Sequence, residues 1–144
     1  MGRGYRAKPR NVRSMLAARG AAHVYNYWTA MPMPGVQRAV VPVANNPFLI
    51  VRLLLRPGTR YEQRREAFAP FDRLVAPDEE MRGQVHELIT EVLGLRRSAF
   101  VLVNNKAEGS APLTIEALAE RVAAECLHHV NRSPGDECGS AEPR

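Results

Sequence analysis

Apolar positions along the chain follow two periods, and each predicts its own element. Phe48 to Leu55 is aliphatic or aromatic at every position but Arg52, and Pro57-Gly58 ends it. Ala99 to Asn104 is a second such run, closing on adjacent amides. Short runs apolar on both sides of an extended chain are strands buried inside parallel sheets. Ala22 to Trp28, β-branched and aromatic, reads as a third strand. Elsewhere the period is helical. Val12, Met15 and Leu16 stand at i, i+3, i+4 before Gly20, predicting a short helix over about 10–19. Asp78, followed by Glu79 and Glu80, caps a longer one. Its stripe is Met81, Val85, Leu88, Ile89, Val92 and Leu93, with Gly94 as the stop. A last helix over about 112–127 is expected to bury Ile115, Leu118, Ala119 and Val122. Thr59-x-x-Glu62 reads as a capping box for a short helix closed by Pro70. From Thr29 to Pro47 no helical period shows, and Val40 to Val43 reads as a short extended piece.

Strands alternating with helices imply an α/β fold with parallel strands. Three buried-type strands leave sheet edges exposed, so the pattern reads as part of a larger structure. At 144 residues the length suits one domain. No run approaches the ~20 apolar residues of a membrane span, and the basic start lacks the apolar segment of a secretory signal. The expectation is a cytoplasmic protein with no membrane partner.

Charge adds one feature. Arg3, Arg6, Lys8, Arg10 and Arg13 fall in the first 13 residues without an acid, and the 15 remaining basic residues are matched by 15 acids. Such an arm is either a solvated, disordered start or a contact for nucleic acid. Cys126, His128, His129 and Cys138 do not fit a familiar zinc spacing. They read as a thiol on the last helix and a thiol in a tail, with no metal site and no disulfide.

Arg52 is the sharpest anomaly, since a guanidinium inside a buried strand is costly unless paired. Alternation puts it on one face with Ile50 and Leu54, where it either holds an anion in a pocket or bridges strand-end carbonyls. Asn104 and Asn105 stand where a parallel strand delivers polar groups to its carboxyl end, the usual place for a binding site in α/β folds. They either bind a ligand or close Asx-type turns. Lys106 and Glu108 read as solvated, Gly109 as a positive-φ or close-approach position, Ser110 as a helix cap, and His86 as exposed. His23, Tyr25, Tyr27 and Trp28 crowd the first strand, a group suited to stacking or to packing. There is no Ser/His/Asp order, no Gly-rich phosphate cradle and no Cys-x-x-Cys.

Asn104-Asn105-Lys106-Ala107-Glu108-Gly109-Ser110-Ala111-Pro112 resembles the Asn-Asn-His-x-x-Gly-x-Ala motif of the YecE-like proteins, also called domain of unknown function 72. Ile50-Val51-Arg52-Leu53 is similar to that family's Val-Arg-Leu-His strand, and the final helix to its closing Ala/Leu-rich helix. The resemblance covers about residues 11–125 and the C-terminal part of the family. It implies a partial (β/α) TIM-type barrel of about three parallel strands with covering helices. It implies no settled activity and names no cofactor, leaving enzyme and binding protein both open. Lys106 and Leu54 stand where the family motifs have His, so two imidazoles suited to acid–base work are missing.

The resulting organisation is a disordered start (1–10), a barrel part (11–130) and a disordered tail (131–144). The functional expectation is a truncated barrel, inactive alone, with a small-ligand or enzyme-like site at the strand carboxyl ends. Arg52 would hold an anionic small molecule and Asn104, with Asn105, would orient it. Partners would be a complementing first half or a second copy. The alternative is a small basic module that binds nucleic acid through its arm.

Overall fold

The computed structural model describes residues 9–130, with side chains from residue 14 to residue 125. In chain order the elements are α1 (Pro9–Ala18), β1 (Val24–Tyr27), α2 (Pro34–Val40), a 3₁₀ turn (Val43–Asn45), β2 (Leu49–Leu53), α3 (Tyr61–Phe68), α4 (Glu79–Gly94), β3 (Ala99–Val103) and α5 (Ala111–Val130). The strands form one parallel sheet in the order β1-β2-β3. Among the described residues it is open, with β1 and β3 as its edges, and it has the form of a partial barrel. Residues 1–8 and the 131–144 tail lie outside the described residues, as do the side chains of Arg10, Arg13, Cys126, His128 and His129.

Helices cover one face of the sheet. Tyr25, Tyr27, Leu49, Val51 and Leu53 point to that side and pack with Met81, Val85, Leu88 and Val92 of α4, all fully buried. Among the described residues the opposite face is bare. There Asn26 pairs with Arg52 and Arg52 with Leu102, while Ile50 pairs with Phe100. Phe100 is 54% exposed and Leu102 52%. In a (β/α) barrel the helix-free face is the interior.

α4 follows its sequence signals closely. Asp78 is the N-cap, its Oδ1 accepting from the Met81 N–H at 3.0 Å, and Gly94 is the last helical residue. Three expectations need correction. Thr29–Pro47 is not irregular, because Pro34 opens α2 and the 3₁₀ turn follows; neither segment is long enough to show a period. Thr59 does not cap α3, whose N-cap position is Arg60. The Thr59 hydroxyl instead donates to the Arg56 carbonyl, and its own carbonyl accepts from Thr29 Oγ1, each at 2.6 Å, tying the exits of β1 and β2 together. In α5, Leu118 is buried but Ile115 and Ala119 are exposed. The sheet ends at β3, so half the α5 stripe has no strand beneath it. Ile89, Leu93, Val101, Ile115 and Ala119 line the resulting apolar groove of about 480 Å³.

Candidate functional site

All three strands deliver polar side chains to their carboxyl ends, and these divide between the two faces. On the bare face lies Arg52. It is exposed, which corrects the expectation of a buried guanidinium. A parallel strand with one uncovered face can carry a charge there without a buried partner, so the desolvation argument does not apply. Asn104 follows β3 and continues the ladder, its N–H donating to the Leu53 carbonyl at 2.7 Å. Alternation along β3 puts it on the side of Phe100 and Leu102, hence of Arg52, on the adjacent strand.

Both amides also do local work. Asn104 Oδ1 accepts from the Lys106 N–H at 3.0 Å, an Asx turn. Asn105 Oδ1 accepts from the Ala111 N–H at 2.7 Å, satisfying the first turn of α5. Asn104 is exposed and Asn105 half-buried. In both amides the Nδ2 donors are the groups not committed to the loop. Lys106, half-buried rather than solvated, places its ammonium 4.6 Å from the Tyr61 ring centroid and 5.6 Å from that of Phe71. Such cation–π contacts hold the β3–α5 loop against α3 and the segment after it.

On the helix side of the rim is a buried network. Tyr27 Oη donates to Asp78 Oδ2 at 2.6 Å, and Arg56 Nη1 reaches the same oxygen at 2.6 Å. Glu108, expected to be solvated, is fully buried. One of its oxygens accepts from the Asp78 N–H at 2.6 Å. Its carboxylate meets the Arg82 fork, with Nε 2.9 Å from Oε1 and Nη2 3.0 Å from Oε2. Its carbonyl accepts from the Val75 and Ala76 N–H groups. Burial and the Asp78 carboxylate hold the Tyr27 phenol well above its ordinary range, so it stays a donor. Each residue of this cluster is engaged by another, and the arrangement fixes the β3–α5 turn to the start of α4.

Gly109 is required where it stands. Its φ is 126°, and a Cβ would overlap the Arg73 carbonyl oxygen and the Val75 nitrogen. Ser110 precedes α5, and its carbonyl accepts from the Thr114 N–H at 3.0 Å. His86 is not surface-exposed as expected. Its Nε2 lies 2.6 Å from Glu125 Oε2, and that oxygen accepts from Thr90 Oγ1, so the cluster joins α4 to α5. The aromatics of the first strand are packing groups. Tyr25 and Tyr27 are fully buried, and His23 stands edge-on to Tyr25 at 4.7 Å.

Arg82 and Glu108 were missed by sequence reasoning. A signal existed for the first: Arg82 lies three residues before Val85 and seven before Ile89, on the buried stripe of α4. None existed for Glu108, because its burial depends on a chain segment some 30 residues away. Among the described residues no three His, Cys, Asp or Glu side chains gather as metal ligands, and no helix is long and apolar enough to cross a membrane.

A parallel α/β sheet with helices on one face, a bare face on the other and polar groups at the strand carboxyl ends defines the class: an open, barrel-related α/β protein. Within it, the model of the DUF72 family, described as a protein of unknown function, matches residues 5–137, and the chain belongs to that family. The match reaches further at both ends than the motif resemblance. No curated protein and no solved structure matches the chain.

Proposed function

We propose that the bare face of the sheet is a binding face for a small anionic molecule, with Arg52 holding the anion and the Nδ2 of Asn104 orienting it. The observation that carries this reading is the shared face: Arg52 on β2 and Asn104 at the end of β3 lie on adjacent parallel strands, opposite the helices. Arg52 is the cation of that face, exposed and beside Asn26 and Leu102. A planar guanidinium with free donors suits carboxylate or phosphate. The face presents no acid or base within its strands, so the chain supplies binding and not proton transfer. Acid–base groups would come from a segment that covers the face, and the chain alone is inactive.

Calorimetry with inorganic phosphate and with malonate tests the reading on the full chain. Arg52→Gln is expected to weaken binding at least tenfold. Asn104→Ala is expected to weaken it by roughly 2–10-fold, the worth of one hydrogen bond. Equal affinity in the wild type and Arg52→Gln would reject the reading.

A further inference from the structure

The two edges of the sheet are not equivalent. The Leu54 N–H donates to the Tyr27 carbonyl, so Tyr27 turns its backbone toward β2 and Asn26 turns its own outward. That outward edge is already occupied. The Asn26 N–H donates to Gln37 Oε1 at 3.0 Å, and Gln37 Nε2 donates back to the Asn26 carbonyl at 2.6 Å. A side-chain amide thus makes the pair of bonds that a neighbouring strand would make. Gln37 is 4% exposed, and its Nε2 also reaches the Pro32 carbonyl at 2.7 Å, which fixes the amide in place. The Val24 carbonyl accepts from Asn26 Nδ2 at 3.0 Å, and the His23 N–H donates to Asn46 Oδ1 at 2.8 Å.

The β3 edge has no such cover. The Leu49 N–H donates to the Ser98 carbonyl, and the Asn104 N–H to that of Leu53. Ala99, Val101 and Val103 therefore direct their backbone groups away from β2, and no partner for them occurs among the described residues. All strands run parallel. The bare β3 edge of one copy is consequently complementary to the β1 edge of another, and repeating that contact would extend the sheet head to tail.

We infer that Gln37 is an edge guard: its amide stands in for a fourth strand on β1, holds α2 across that edge, and so blocks parallel addition of β3 from a second copy. The partner excluded is the protein itself, and the residue that sets the oligomeric state lies outside the proposed ligand face.

Light scattering across a concentration series, together with hydrogen exchange, tests this on the full chain. In Gln37→Met the Asn26 amide is expected to exchange at least tenfold faster, and the mass to rise with concentration above that of the wild type. Adding Val101→Pro should return the mass to the wild-type value, because the Val101 N–H points outward and its loss leaves the β2–β3 ladder intact. Should Gln37→Met lose its circular dichroism, Gln37→Glu is read in its place. It keeps an acceptor for Asn26 but not the donor, and folded Gln37→Glu with increased mass supports the guard. Unchanged exchange at Asn26, or a freed Asn26 amide with wild-type mass at every concentration, overturns it.

Discussion

At the residue scale the strongest commitment is Glu108. Its carboxylate is fully buried and closed by the Arg82 fork and the Asp78 N–H. Removing one partner of such a pair strands the other charge, at about 3–5 kcal/mol. Glu108→Gln should lower unfolding free energy by that order in urea, whereas Arg82→Met with Glu108→Leu should cost less than the single change. An equal or larger loss in the double variant would contradict this. His23 gives a pH dependence. Burial lowers its pKa below 6.5, so between the lowered value and 6.5 the unfolded chain binds more protons than the folded one. Stability should therefore fall as pH drops through that window, and His23→Phe should flatten the profile. Tyr25, pushed up to about 12 by burial, acts at the other end. The unfolded phenol ionises near 10 while the folded one does not, so stability should decline above pH 10.

At the element scale, legibility followed how local the cause was. β2, β3 and α4 were readable because a run or a stripe repeats over several residues, and Asp78 caps α4 within its own turn. α2 was not, since seven residues opened by Pro34 carry too short a pattern, and its docking rests on Gln37 reaching a strand edge 11 positions away. Arg52 and Asn104 were legible as sharing the carboxyl ends of neighbouring strands. Whether Arg52 would be buried was not, because that depends on what covers the sheet. Gly109 was legible as a turn glycine, and its close approach to Arg73 and Val75 makes the demand stricter. Gly109→Ala should destabilise by more than about 1 kcal/mol in thermal or denaturant unfolding, by strain at positive φ and by backbone overlap. A stability within a few tenths of a kcal/mol of wild type would show that the β3–α5 turn is more permissive than described.

For the whole molecule, one covered face and one bare face account for both the proposed site and its cost. Phe100 and Leu102, each more than half exposed, border Arg52 on the bare side. Apolar area of this kind promotes association. Phe100→Thr with Leu102→Thr should raise the soluble concentration limit and reduce dye binding to apolar surface, with little change in unfolding free energy. The basic arm belongs to this scale too, although its residues 3–8 lie outside the described part. Five phosphate contacts would give log affinity a slope of about −4 to −5 against log salt on duplex DNA.

The central claim is that the helix-free face, at Arg52, is where this protein meets an anion. The most direct measurement is a nuclear magnetic resonance titration of the full chain with inorganic phosphate, following the Arg52 Nε–H and the Asn104 side-chain amide. The account predicts saturable shifts at both, carried to Asn26 and Leu102, and abolished in Arg52→Gln. Shifts confined to Arg56 on the helix side, or to the first 13 residues, would contradict it.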